Sequence, residues 1–296
     1  MHDSFADYHP LVTFIYFMMV LIIGVICLHP VCLCIWVICS LIYAVYLKGK
    51  NAFKMNFKYM VPILIVTALL NPAFNHEGMT ILFYLKNGNP VTLESIYYGL
   101  AAAAMMAGAL NWFSCYSQAI TTDKLMCIFG RIMPAFSLII SMTMRFVPRF
   151  KAQIKRVSQT QRCIGRDVSN GNMIEKAKHG LLIISIMVTW ALENAIETAD
   201  SMKSRGYGLP GRTAYSIYSL EKRDKLLGAF IAFCGTYIIV GLARGGIDWY
   251  YFPKAYGKLN GTYTISLYFC YFILCIIPMI INWREDLKWN ALKSKI

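Results

Sequence analysis

Long apolar runs separated by short polar breaks organise most of this chain. Six of them predict membrane-crossing helices: Leu11–Leu28, Val31–Leu47, Tyr59–Phe74, Ser95–Ile120, Leu226–Ala243 and Thr262–Ile281. Such a helix needs about 20 mostly apolar residues. His29-Pro30 parts the first two runs, and proline suits the first position of a helix, so the two read as a helical hairpin. Two further runs are shorter. Phe136–Met144 is expected to span, re-enter or lie at the membrane surface. Leu181–Leu192 would reach only about 18 Å as a helix, short of a hydrocarbon core of about 30 Å.

Between the fourth and fifth long runs the pattern changes to the helical period. Phe146, Phe150, Ile154, Val157 and Ile164 recur at steps of three, four or seven, which is one stripe of a helix. Arg145, Arg149, Lys151, Lys155, Arg156, Arg162 and Arg166 fill much of the remainder, and Pro148 is expected to kink the helix. Asp167-Val-Ser-Asn-Gly171 reads as a break. A second helix is predicted from Met173 to about Ser204, apolar all round at first and then mixed, with Glu193, Glu197 and Asp200 at helical spacing. It should stop at Arg205-Gly206, because glycine is a natural C-terminal stop.

Composition supports a lipid setting. Of 296 residues, 57% are hydrophobic and 15% charged, more apolar surface than a soluble domain of this length could hide. The net charge of +14 is unevenly placed. With the N-terminus inside, the outer loops hold Lys86, Arg244, Lys254 and Lys258, and every other Lys and Arg is cytoplasmic; the opposite orientation breaks the positive-inside rule. Residues 144–225 carry 15 Lys or Arg against 7 Asp or Glu and fall on the cytoplasmic side. Such a basic block suits anionic lipid as well as protein partners; no nucleic-acid partner is expected. The first ten residues hold Asp3 and Asp7 and no Lys or Arg, the wrong sign for a cleaved leader, so the first run is expected to be retained.

Candidate chemistry is sparse. Most of the ten cysteines sit inside apolar runs without ligand spacing, and the five histidines are scattered, so no metal site is expected. Gly206-Tyr-Gly-Leu-Pro-Gly-Arg-Thr213 has the spacing of a phosphate loop, but it ends a helix instead of opening one and carries Arg in place of Lys. A membrane-embedded enzyme would need paired acids, a His cluster or an activated nucleophile. A self-sufficient carrier would need intramembrane charges or an internal repeat. Neither signature is evident. Ala101–Ala104 with Ala107, Gly108 and Ala109 form a small-residue face read as close helix packing. Glu94 and Asp248 read as interfacial, and Trp112, Tyr116, Trp249, Tyr250, Tyr251 and Trp283 as an aromatic belt.

From Thr121 to Thr213 the motifs follow a known order: Thr121-Thr-Asp-Lys-Leu125, Gly130-Arg-Ile-Met-Pro134, Met144-Arg-Phe-Val-Pro148, Gln161-Arg-Cys-Ile-Gly165 and Ala199-Asp-Ser-Met-Lys-Ser-Arg-Gly-Tyr207. In this order and spacing the chain resembles the T component, the transmembrane scaffold, of energy-coupling factor transporters. These are bacterial and archaeal importers of vitamins and transition metals. The resemblance implies that each of two coupling helices ends in a short Ala-Arg-Gly or Ala-Arg-Ser motif that docks in an ATPase groove. The second motif is Ser204-Arg205-Gly206. The first departs: Cys163-Ile164-Gly165 places Ile where the family has Arg, with Arg162 and Arg166 on either side.

The expected architecture is therefore an all-α integral membrane protein of about six transmembrane helices plus a cytoplasmic block of long amphipathic coupling helices. Its expected divisions are 1–143, 144–225 and 226–296. The resemblance implies a non-catalytic subunit in a cell membrane, multi-pass, with both termini cytoplasmic. It would bind no cofactor itself, ATP being held by two ATP-binding cassette partners. Arg145, Phe146, Pro148, Phe150, Ile154 and Val157 would form the coupling-helix face, and a small substrate-binding membrane subunit would be the third partner. Ile164 continues the apolar stripe, so the two ATPase contacts are expected to differ, which leaves room for two different ATPase chains.

Overall fold

The computed structural model describes residues 3–84, 89–166, 172–209, 218–257 and 260–293. It is nearly all helix: α1 Pro10–Ile26, α2 Pro30–Lys48, α3 Lys50–Phe74, α4 Leu93–Ala119, α5 Thr122–Ile132, α6 Pro134–Cys163, α7 Met173–Ser204, α8 Lys222–Ala243 and α9 Thr262–Lys293. Two small antiparallel hairpins interrupt it, β1 (Ile81–Tyr84) with β2 (Pro90–Thr92), and β3 (Trp249–Tyr250) with β4 (Tyr256–Gly257). The chain folds as two units. One comprises Met1–Leu125 and Tyr218–Ile296, the other Met126–Ile217.

This grouping differs from the divisions read from sequence. The N- and C-terminal apolar regions form one unit, because α8 packs on both α1 and α9, and α9 also on α2. Helix α6 runs unbroken from Pro134 to Cys163, so Phe136–Met144 is its first part. Pro148 lies inside that continuous helix. The expected break at 167–171, part of the phosphate-loop-like run, and both Lys86 and Lys258 lie outside the described residues.

Among the described residues, five helices are long and apolar enough to cross a membrane: α2, α4, α7, α8 and α9. Helix α1 and the Met60–Phe74 part of α3 are apolar but shorter. Four of the five coincide with predicted spans. The fifth, α7, is longer than its apolar run suggested. Its uncharged stretch from His179 to Leu192 still reaches only about 20 Å, because Lys178 and Glu193 bracket it.

Local chemistry explains where the first helices begin. His9 and His29 each accept a hydrogen bond at Nδ1 from the backbone N–H two residues on, at 3.2 and 3.3 Å. The proline that follows each histidine occupies the first helical position, where its missing N–H costs nothing. The same His-Pro device therefore starts α1 and α2.

The first unit is built around Trp36 of α2, which is fully buried. Its indole lies where side chains would be at Gly24 of α1 and Gly108 of α4. A methyl group there would sit 2.2 Å and 2.7 Å from Trp36 ring atoms. Trp112 of α4 donates its indole N–H to the Trp36 carbonyl at 3.3 Å and packs edge-on against Tyr16 and Phe17 of α1. Trp112 is thus a core residue and no part of an aromatic belt, in contrast to exposed Trp283 and Tyr250. Glu94 is also buried. It accepts from the backbone N–H and the hydroxyl of Thr80, at 3.2 and 2.8 Å, and so holds the segment leading into β1 against the start of α4.

A polar knot secures the N-terminal segment to the same unit. Asp3 accepts from Tyr43 of α2 and Asn282 of α9, at 3.2 and 2.8 Å, and Asn282 accepts from the Phe5 backbone at 3.0 Å. Lys124, at the start of α5, donates to the carbonyls of Ala6 and Ala119 at 2.6 and 2.7 Å. Burial pushes its ammonium pKa down, while Asp3 and Asp7 pull it up.

The Trp36 packing makes a discriminating prediction. Gly24→Ala should destabilise the protein by about 1–3 kcal/mol through overpacking, read as a lower unfolding temperature in detergent. Gly228→Ala in α8 should be neutral or slightly stabilising, because its methyl would meet Val12 at an ordinary 3.5 Å. Adding Trp36→Phe to Gly24→Ala should recover part of the loss. Equal effects at Gly24 and Gly228 would remove Trp36 from its central place.

Candidate coupling site

The second unit is organised by α6 and α7, the two longest helices it contains. Helix α7 starts in a capping box, in which Asn172 and Glu175 each accept from the other's backbone N–H. Phe150 of α6 meets Trp190 of α7 edge-on, with ring centres 5.3 Å apart, and Phe146 meets Phe150 edge-on at 6.2 Å. The Arg145 guanidinium lies 5.6 Å from the Phe146 ring centre, a cation–π distance.

The half-buried residues of α6 include Phe146, Phe150, Gln153, Val157 and Gln161. The expected stripe is therefore rotated in part. Phe146, Phe150 and Val157 lie on the packed side, whereas Ile154 is 47% exposed and Ile164 is 64% exposed. The polar positions Gln153 and Gln161 take the vacated places, and the amide oxygen of Gln161 is itself buried. Pro148 is exposed.

Helix α7 has two apolar sides. Ile183, Met187 and Trp190 face inward within the unit. Ile174, Leu181, Ile184, Val188, Leu192 and Ile196 form a second stripe, each more than half exposed. That stripe extends about 33 Å along the helix. The first half of α7 is apolar all round in sequence, and the position of Trp190 divides that surface into its two sides.

Both helices end in the same backbone corner. In α7 the capping residue is Arg205; the next residue, Gly206, has φ +74°; the Gly206 N–H donates to Lys203 and the Tyr207 N–H to Met202, both at 3.0 Å. In α6 the capping residue is Ile164; Gly165 has φ +83°; the Gly165 N–H donates to Arg162 at 3.0 Å and the Arg166 N–H to Gln161 at 2.9 Å. Each is a Schellman motif, in which glycine takes the left-handed conformation that other residues disfavour. Ile164 thus stands at the place of Arg205, Cys163 at that of Ser204, and Arg166 at that of Tyr207. All six of these residues are exposed. Among the described residues, the guanidinium groups of Arg205 and Arg166 make no hydrogen bond or ion pair.

A family-level comparison matches residues 4–215 to CbiQ, described as cobalt transport protein. The chain belongs to the CbiQ family. Curated relatives of this CbiQ-family chain include energy-coupling factor transporter transmembrane proteins EcfT. That of Lactobacillus helveticus is 35% identical over 105 residues, covering 35% of this chain and 38% of the relative. That of Streptococcus equi is 26% identical over 203 residues, covering 64% and 74%. That of Clostridium kluyveri is 28% identical over 201 residues, covering 60% and 71%. The chain thus spans well under half of the first relative's length and nearly three quarters of the second's. The resemblance read from the ordered motifs holds: this is a T component of an energy-coupling factor transporter and a multi-pass membrane protein.

One corner escaped sequence inspection. Helix α8 of the CbiQ-family chain ends in Ala243-Arg244-Gly245, with Gly245 at φ +67° and N–H groups of Gly245 and Gly246 returning to Leu242 and Gly241. It is a third Schellman corner, in the other unit, and carries the literal tripeptide.

The corner geometry can be tested by exchange. Gly165→Ala and Gly206→Ala should each force an L-residue into the left-handed region, at about 1–2 kcal/mol. Amide exchange at Arg166 and Tyr207 should then accelerate by roughly 5- to 30-fold. Gly180→Ala, within α7 and with open space around it, should slow exchange in its own helix. Unchanged protection at Arg166 and Tyr207 would dissociate the glycines from the corners.

Proposed function

We propose that this chain is the membrane scaffold of an ATP-driven importer and passes ATPase motion to a substrate-binding membrane subunit. The observation that carries this reading is the pair of matched corners ending α6 and α7, each with exposed side chains at the tip. A helix C-terminus presents free carbonyls and a negative partial charge, so basic residues are stable there. Arg205 offers a planar guanidinium whose donors suit carboxylates or carbonyls in a partner's groove. ATP is bound by two ATP-binding cassette partners and the chain itself supplies no cofactor. It acts without catalysing a reaction.

The unfilled stripe from Ile174 to Ile196 supports the other half of the reading. A small substrate-binding membrane subunit covers it with an apolar surface of its own. Closure of the ATPases shifts the two corners; α6 and α7 move as stiff rods joined at Phe150–Trp190; the stripe moves with them and reorients the bound subunit. Both termini and the second unit lie on the ATPase side, the cytoplasmic face, in accordance with the charge asymmetry. The cargo is a vitamin or a transition-metal ion and is selected by the substrate-binding subunit.

Arg205→Ala should leave membrane insertion intact while weakening ATPase retention, because a charge-assisted contact at a buried interface costs roughly 2–5 kcal/mol when one partner is lost. Co-purification of the ATPases and cargo uptake in cells are the readouts. Normal uptake together with normal ATPase recovery would sink the proposal.

Ile164 calls for a separate comparison. A groove built for arginine would be left with an unpaired acceptor by isoleucine, at roughly 1–3 kcal/mol. We expect an apolar groove there, distinct from the groove at Arg205, so the two ATPases are different chains. Ile164→Arg and Ile164→Asp should both impair assembly, with Asp the worse. Improved assembly with Ile164→Arg would instead indicate an acidic groove at both corners.

A further inference from the structure

Helices α2 and α4 touch closely where Trp36 meets Gly108, then part toward the start of α2. The small residues Ala101 and Ala104 leave a hollow opposite Cys34 and Val37, and Tyr97 and Trp249 wall it near that end. Its volume is about 470 Å³, within the usual range of ligand sites. Almost all of its lining is apolar, and Ile38 and Leu100, both more than half exposed, flank its mouth. The small-residue face that sequence inspection assigned to helix packing is thus only partly used for packing: Ala103, Ala107 and Gly108 are buried, while Ala104 stays open to the hollow.

The size of the hollow narrows what fills it. A packed helix is about 10 Å across. An unbranched hydrocarbon chain is thinner and matches a groove with no polar groups to satisfy. Left empty within the bilayer, the lining would forfeit its dispersion contacts. Tyr97 and Trp249 at one end are amphipathic rings of the kind enriched at headgroup level. Exposed Lys254 adjoins Ala255 of the lining and supplies a cation there.

We propose that this groove is a phospholipid site, in which one acyl chain lies between α2 and α4 and Lys254 holds the phosphate. The inference is independent of ATPase coupling, since it concerns the first unit alone. The full chain in nanodiscs would be exposed to trace phosphatidylglycerol with a diazirine in the middle of one acyl chain, and cross-linked peptides mapped by mass spectrometry. Labelling per residue in 30–38 and 97–104 should exceed that of the lipid-facing parts of α1 and α8 at least fivefold. Ala104→Trp fills the groove from α4 and Cys34→Phe from α2; each should abolish the excess without changing labelling elsewhere. Lys254→Gln should reduce the preference for phosphatidylglycerol over phosphatidylcholine. Even labelling of all lipid-facing helices, or an excess that survives both filling variants, would overturn the site. An unchanged headgroup preference would overturn the role of Lys254. Loss of the excess on adding a partner membrane subunit would assign the groove to protein and overturn the lipid.

Discussion

Three helices meet because one large side chain fills the space of two absent ones. Trp36 can be fully buried only while Gly24 and Gly108 lack side chains, since a methyl at either position would overlap the indole. That constraint sets how closely α1 and α4 approach α2, and Trp112 locks the result by donating to the Trp36 carbonyl. In a bilayer this matters more than in water. Lipid tails are as apolar as leucine, so helices gain little from hiding apolar surface from lipid and depend on close packing instead. The buried rings of Tyr16, Phe17 and Tyr43 extend the same contact, and the Asp3–Asn282 knot ties α9 to the N-terminal segment beyond it.

The same absence of contrast explains what could be read from the chain and what could not. Helix ends were legible because they depend on local chemistry: His29-Pro30 starts α2, and Arg205-Gly206 stops α7. The apolar runs marked α1 to α4, α8 and α9 by length. The inward face of each span was not legible, because lipid and protein interior call for the same residues. Trp112 therefore passed for an interfacial ring. The usable signal was the pairing of glycines with large residues, as in Gly24 and Gly108 with Trp36, Gly235 with Met19, and Gly241 with Leu267. A pairing across helices is invisible until the helices are placed.

In the second unit the difficulty is reversed. Charge makes α6 amphipathic, so a stripe was visible, but two rings control its rotation. Phe150 reaches Trp190, with Phe146 edge-on behind it, and that contact turns Gln153 toward the packed side and Ile154 away from it. On α7 the apolar residues exceed what one packed side can use. The surplus, from Ile174 to Ile196, is a surface whose burial requires another molecule, lipid or protein.

The three Schellman corners separate what is generic from what is specific. Glycine after a helix end produces the same turn at Gly165, Gly206 and Gly245, so the turn is a consequence of backbone sterics and carries no function by itself. Ala243-Arg244-Gly245 even has the expected tripeptide, yet it closes a helix of the first unit. What distinguishes α6 and α7 is that two long helices of one unit, joined through Phe150 and Trp190, both end this way. A rod transmits displacement along its length only if its tip is held in a fixed direction, and the left-handed glycine fixes that direction. In the proposed coupling, the side chain at the capping position decides which partner surface the tip can enter. With backbones matched, the two tips differ in Arg205 and Ile164 at that position and in their immediate neighbours, Ser204 and Tyr207 against Cys163 and Arg166.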